Sequence, residues 1–195
     1  MSERLGEQHP FLDEEALVDD GTPLRTTEHA PGELAVPDGV VVVEGSPEGG
    51  RRPVAVVVSR FNGDVTSRML DRAVEELAEL GIPASLVTVM PVPGAFELPL
   101  AAMALAKTRR FACVVALGCV IRGETPHFDY VAGEAASGLQ LAALETGVPV
   151  AFGLLTLERA DQADARLDQG VEAVRTALEM ADLFAEIRAG DSQTG

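Results

Sequence analysis

Four apolar runs separated by stretches of helical period constrain this chain more than any other feature: Pro53–Ser59, Ser85–Met90, Ala112–Cys119 and Val148–Leu155. The first, PVAVVVS, stays apolar and β-branched without a polar alternation, the pattern of a strand buried on both faces of a parallel sheet, and it is expected to be central. After it, Met69, Leu70, Ala73, Val74, Leu77 and Leu80 keep a helical period. Thr66 or Ser67 is the expected cap and Gly81 the expected stop. Pro91–Pro99 (PVPGAFELP) reads as a loop leading into an Ala-rich helix that runs to about Lys107. A third helix, Asp129–Glu145, offers Val131, Ala135, Leu139, Ala142 and Ala143 to the sheet. From Arg159 to about Arg188, Ala163, Leu167, Val171, Val174, Leu178, Ala181 and Phe184 keep three-four spacing across Gly170, as one bent helix or two short ones. Strands alternating with helices imply right-handed crossovers. The fold class is therefore α/β, a doubly wound parallel four-stranded sheet with helices on both faces.

The first 50 residues carry 12 Asp and Glu against 2 Arg, so they account for −10 of the formal charge of −16. Residues 1–38 are acidic and rich in Gly and Pro, and bury too little apolar surface to offset their ordering entropy; they are expected to form a disordered arm. Residues 39–188 form the expected domain and 189–195 a flexible tail. Val40–Val43 reads as an isolated strand, closed by the turn-rich Gly45–Gly50 and expected to pair with a neighbouring subunit's sheet. The acidic balance argues against non-specific nucleic-acid binding, which needs cations. No basic n-region precedes an apolar h-region and no apolar run approaches the ~18–20 residues of a membrane span, so a cytoplasmic protein without membrane contact is expected. Cys113 and Cys119, on one strand at ~3.3 Å per residue, stand about 20 Å apart and are expected to be buried free thiols. His9, His29 and His127 lack metal-ligand spacing, and no metal site is proposed.

Gly118–Tyr130, GCVIRGETPHFDY, lies where the third strand passes into the third helix, the place where open parallel sheets hold ligands. Gly118 and Gly123 permit tight backbone paths, Arg122 offers a cation, Thr125 a hydroxyl, and the helix start favours an anion. His127 is the best general-base candidate, since an imidazole takes and gives protons near neutrality. The loops SRFN, VPGAFELP and GCVIRGETPHF, with Phe152–Glu158, are expected to converge on one pocket. There Phe61 and Phe96 sandwich a flat heterocycle, Glu97 and the backbone near Ala95 bind hydroxyls, and Arg122 and Thr125 attract a phosphate. Plainer roles exist for these residues: Phe61 as core, His127 as a helix-entry residue, Glu97 as a first-turn carboxylate and Arg122 in a structural ion pair; Arg166, further along the chain, reads by itself as an arginine on a solvated helix face.

Ser59–Asn62 (SRFN), Val92–Pro99 (VPGAFELP), Gly118–Val131 (GCVIRGETPHFDYV), Thr146–Gly153 (TGVPVAFG) and Ala177–Leu183 (ALEMADL) occur in family order and spacing. With them the chain resembles the 6,7-dimethyl-8-ribityllumazine synthase family of riboflavin biosynthesis from about Val40 to Leu183. The resemblance implies a flavodoxin-like sheet and a transferase that condenses 5-amino-6-(D-ribitylamino)uracil with 3,4-dihydroxy-2-butanone 4-phosphate, without cofactor or metal. It implies that Phe61 stacks on the pyrimidine and that Ala95, Phe96 and Glu97 hold ring and ribityl chain. Glu124 and Thr125 would lie at the phosphate end, with Arg166 reaching the phosphate and Arg122 in support. His127 would handle protons, and Phe152 would close the pocket from a neighbouring subunit. Homo-pentamers, twelve of which close an icosahedral capsid in many members, and a partnership with riboflavin synthase are implied as well. Two positions depart from the family pattern. Only Leu167–Gln169 separates Arg166 from Gly170, with Gln169 where members carry lysine, and Thr156–Arg159 replaces a Thr-Glu-Asn-like turn. A non-catalytic lumazine- or flavin-binding or shell-forming paralogue, and a specialised-pathway enzyme with a related substrate, are the alternative readings.

Overall fold

The structure, a computed structural model, describes residues 34–48 and 52–191. Four strands, β1 (Val54–Ser59), β2 (Val87–Val92), β3 (Cys113–Ile121) and β4 (Val150–Leu157), alternate with α1 (Gly63–Glu79), α2 (Leu98–Lys107), α3 (His127–Thr146) and α4 (Gln169–Asp191). All pairings are parallel, in the order β2-β1-β3-β4. The continuous apolar run of β1 is explained by this order, because β1 is an inner strand with every residue buried. Burial of each such valine contributes roughly 1.5–3 kcal/mol.

The sheet separates two apolar layers. On one face Val54, Val56 and Val58 pack with Met69, Ala73 and Leu77 of α1 and Val174, Ala177 and Leu178 of α4. On the other, Ala55 and Val57 pack with Leu98, Ala102 and Leu105 of α2 and Ala135, Leu139 and Ala142 of α3. Alternation along β1 thus assigns one parity to each helix pair, which makes the sheet doubly wound.

Several local expectations change. The cap of α1 is Asn62, in the left-handed region at φ 56°, and not Thr66 or Ser67. The hydroxyl of Thr66 instead donates to the Ser59 carbonyl at 2.8 Å inside the core. Strand β2 runs through Pro91 to Val92, where the sequence suggested a loop. Proline lacks a ladder donor, yet an edge strand tolerates it, and β2 pairs with β1 alone. The apolar stretch after β4 resolves into 3₁₀ turns at Ala160–Gln162 and Asp164–Arg166 followed by the single helix α4. Ala163 and Leu167 stay buried across those turns. There α4 approaches α1 closely: a Cβ on Gly170 would stand 2.9 Å from the Met69 carbonyl oxygen. Arg68 pairs with Asp164 at 2.6 Å, and Arg72 pairs with Asp168, tying the junction to α1.

Internal contacts divide the chain at Val42 and Val43. Within the first unit, Val40 N–H donates to the Pro37 carbonyl at 3.3 Å, closing a turn with Gly39 at φ +80°. Among the described residues Val40–Val43 forms no strand, and Val41 is 88% exposed. In the second unit Asp182 of α4 accepts from Ser46 N–H at 3.0 Å and from Arg52 at 2.7 Å. The expected disordered arm falls, up to residue 33, outside the described residues. Helix α4 continues three residues past the expected end at Arg188, to Asp191, and 192–195 lie outside the description.

Both thiols are free and buried. Burial raises Cys113 from 9.0 to about 12, against a smaller opposing pull from Arg52. Burial, then Asp64, raises Cys119 from 9.0 to about 11. A thiol whose pKa is higher folded than unfolded stabilises the fold fully below pH 9 and progressively less as pH climbs through its folded value. Urea unfolding at pH 8 and 10.5 is therefore expected to show lower stability at the higher pH, with a smaller drop in Cys113→Ala. An equal drop in that variant would assign the loss to other groups.

Candidate active site

The chain leaves β1 toward α1 on one face and leaves β3 toward α3 on the other, and the loops part at the carboxyl ends of these adjacent strands. Ligands of open α/β sheets bind at such a divide, and a cavity of about 630 Å³ opens there. Phe61 and Asn62 line it from the β1 loop, Gly94–Glu97 from the β2 loop, and Cys119–Ile121, Gly123, Thr125, His127, Phe128, Tyr130 and Val131 from the end of β3 and start of α3.

Each wall is fixed by hydrogen bonds. Arg60 N–H donates to the Val92 carbonyl at 2.8 Å and Phe61 N–H to that of Pro93 at 3.1 Å, stitching the first loop to the second. Asn62 adopts its left-handed turn and donates from Nδ2 to the Cys119 carbonyl at 2.9 Å, stitching the first loop to the third. Beside this turn Phe61 stays at the mouth, 70% exposed, which leaves its ring face open to a planar ligand. Phe96 and Tyr130 are similarly exposed beside the same cavity. Glu97 folds back over its own 3₁₀ turn, and Oε2 accepts from Gly94 N–H at 2.9 Å. The turn thereby gains a first-turn carboxylate while that carboxylate stays on the cavity wall.

His127, the first residue of α3, follows Pro126, whose fixed φ suits a helix entry. It lies in the lining with Thr125, so an imidazole, a hydroxyl and a helix start share one end of the cavity. Chemically, the arrangement offers aromatic surfaces for a planar ring, a carboxylate for hydroxyl or amide donors and an imidazole for proton transfer. Among the described residues no group of three or more His, Cys, Asp or Glu is arranged to hold a metal.

Of the residues expected from the sequence, Phe61, Ala95, Phe96, Glu97, Thr125 and His127 are brought together in this lining, whereas Glu124, Arg122, Phe152 and Arg166 are not part of it. The expected four-segment convergence is therefore three segments within one chain. Strand β4 pairs along the far edge of β3, which keeps Phe152–Glu158 off the cavity. Arg122 is turned away as well. Its guanidinium donates to Glu158 at 2.8 Å and to both oxygens of Asp129 at 3.0 and 3.2 Å, and it covers the Phe128 ring at 4.1 Å. Those bonds, Asp129 foremost, raise its pKa further. Arg166 is exposed and donates to the Gln162 carbonyl at 3.3 Å. The cavity lining holds neither lysine nor arginine. Sequence reasoning included Asn62, Phe128 and Tyr130 in the stretches expected at the site but gave none of them a role. The available signal was the aromatic pair two residues apart at a helix start that already carried His127.

Residues 52–185 match the family described as 6,7-dimethyl-8-ribityllumazine synthase. The chain belongs to this family. A 6,7-dimethyl-8-ribityllumazine synthase of Yersinia pestis (strain Pestoides F) is 46% identical over 153 residues, covering 75% of this chain and 98% of that protein. The synthase of the same name from Yersinia pseudotuberculosis serotype O:1b (strain IP 31758) matches over the same extent at 46% identity. The matched span of the lumazine synthase family contains all four strands and the whole cavity lining.

Proposed function

We propose that this chain is a 6,7-dimethyl-8-ribityllumazine synthase, a transferase that joins 5-amino-6-(D-ribitylamino)uracil to 3,4-dihydroxy-2-butanone 4-phosphate. The observation that carries the reading is the placement of Phe61, Phe96, Glu97 and His127 around one cavity in a chain of that family. The uracil stacks on Phe61, and the backbone at Ala95 and Phe96 with Glu97 receives the ring edge and ribityl hydroxyls. The 5-amino nitrogen attacks the ketone, and loss of water leaves an imine. A proton leaves the adjacent carbon, the phosphate departs with the C–O bonding pair, and the enol becomes a ketone. The 6-amino nitrogen closes on that carbonyl, and loss of water completes the second ring. His127 moves the protons of these steps. Holding the two reactants together supplies much of the acceleration.

The phosphate needs a cation, and the lining of this chain's own cavity has none. We place Arg166 and Phe152 in the pocket of an adjacent copy, with Glu124 and Thr125 at the phosphate end, in a homo-pentamer whose Val40–Val43 segments add to neighbouring sheets. An icosahedral capsid of such pentamers, a riboflavin synthase partner and a cytoplasmic setting belong to the same proposal. Among the described residues no helix is long and apolar enough to cross a membrane. Gln169 at the family's lysine position favours a second reading, a binding or shell protein that keeps the ring pocket without turnover.

Phe61→Ala is expected to weaken binding of the ribitylaminouracil by about tenfold to a hundredfold, measured by fluorescence titration, because base-like rings gain that much from aromatic stacking. Expression in a riboflavin-requiring bacterial strain that lacks its own lumazine synthase tests the function. Growth without riboflavin supports the synthase reading. Failure to grow despite abundant folded protein favours the binding reading.

A further inference from the structure

Arg122 is the one guanidinium within the strand-to-helix crossing of the site, yet both carboxylates it binds, Asp129 and Glu158, lie outside the cavity lining. Its backbone N–H donates to the Leu157 carbonyl at 2.8 Å, prolonging the β3–β4 ladder by a bond. Nε then reaches Glu158 Oε2 at the end of β4 at 2.8 Å, while Nη1 and Nη2 grip the two oxygens of Asp129, in the first turn of α3, at 3.2 and 3.0 Å. Between these two grips the guanidinium plane covers Phe128 at 4.1 Å. Phe128 and its neighbour His127 both line the cavity.

We propose that Arg122 is a positioning residue: it holds the first turn of α3 against the end of β4 and thereby fixes where His127 and Phe128 stand relative to bound substrate. The proposal rests on the synthase reading for its kinetic consequence, though not for the clamp itself. A planar fork of donors satisfies two carboxylates in different directions and still stacks on a ring; a lysine ammonium does not. These side chains are 36%, 59% and 61% exposed for Arg122, Asp129 and Glu158. Exposed ion pairs add little to folding stability. The arrangement therefore acts on the position of a helix start, and its loss is expected to appear in rate with the melting temperature nearly unchanged. Misplacing a reacting group by about 1 Å costs on the order of a hundredfold in rate.

The test compares wild type with Arg122→Gln, Arg122→Lys and Glu158→Gln, each also made in a His127→Ala background. Arg122→Gln is expected to lower kcat by about 10- to 100-fold while Kd for the ribitylaminouracil changes by less than about threefold. Arg122→Lys restores part of the loss, and Glu158→Gln, which keeps the Asp129 grip, shows a smaller one. In the His127→Ala background Arg122→Gln costs no further rate, the signature of acting through that imidazole. An equal loss in both backgrounds would overturn the proposal. Amide hydrogen exchange at Asp129 and Tyr130 decides the clamp independently of turnover. Faster exchange in Arg122→Gln supports it, and unchanged exchange overturns it. A wild-type protein without turnover would remove the synthase reading and leave the exchange result to judge the clamp.

Discussion

His127→Ala is expected to lower the rate of lumazine formation by about 10²–10⁴-fold, the usual contribution of a positioned acid-base group. The imidazole has the reach for this role because Pro126 starts α3 at His127 itself, so the side chain leaves the first helical residue at the cavity wall. The ring-binding elements sit on other loops: Phe61 after β1, and Phe96 and Glu97 after β2. The variant should therefore bind the ribitylaminouracil almost as wild type does, and the loss should fall on kcat. Steady-state kinetics beside fluorescence titration separate the two. A variant that loses binding and turnover equally would make His127 a binding group.

The largest expected stability effects lie where β3 and β4 meet α4. Leu117, fully buried, stands in register with Gly153 on β4. A Cβ on Gly153 would come 2.7 Å from Leu117 Cδ2, 2.9 Å from the Ala116 carbonyl oxygen and 3.2 Å from Ala173 Cβ. The glycine thus makes the room that Leu117 fills. Leu117→Ala is expected to cost about 2–5 kcal/mol through lost burial and the cavity left behind. Gly153→Ala is expected to cost about 1–3 kcal/mol through overpacking, since the Ala116 carbonyl belongs to the sheet and cannot swing away. Combined, the two should cost less than their sum, because the added methyl enters space the leucine vacated. Chemical denaturation of the four proteins checks this, and strict additivity would show that Leu117 and Gly153 do not share that space.

How much of this was legible in the sequence follows from which forces leave a local trace. Burial on both faces writes itself as an unbroken apolar run, so β1 and β3 were plain. Strand β2 was located but shifted, beginning at Val87 and passing through Pro91, because an edge strand needs neither full burial nor every ladder donor. The start of α1 was misplaced because Thr66, a good capping type, spends its hydroxyl on the Ser59 carbonyl while Asn62 turns the chain through a left-handed conformation. The site divides in the same way. Phe61, Phe96, Glu97 and His127 sit in the connections that leave the carboxyl ends of strands or at the helix start such a connection leads to, so the sheet order brings them together. Arg122 follows a strand too, but which of two directions a guanidinium takes depends on carboxylates 7 and 36 residues away in sequence, and no local pattern records that. Phe152 and Arg166 lie away from this cavity, and the place proposed for them in a neighbouring copy's pocket depends on assembly, which no local pattern within one chain records.

The most direct test of the account mixes purified protein with the ribitylaminouracil and the butanone phosphate and follows the absorbance and fluorescence of the lumazine and the release of phosphate. The account predicts that both products form at equal rates, that His127→Ala nearly abolishes them, and that Gln169→Lys is not needed for turnover. Tight binding of the pyrimidine with no phosphate release, unrelieved by Gln169→Lys, would contradict it and leave a binding protein in the synthase's fold.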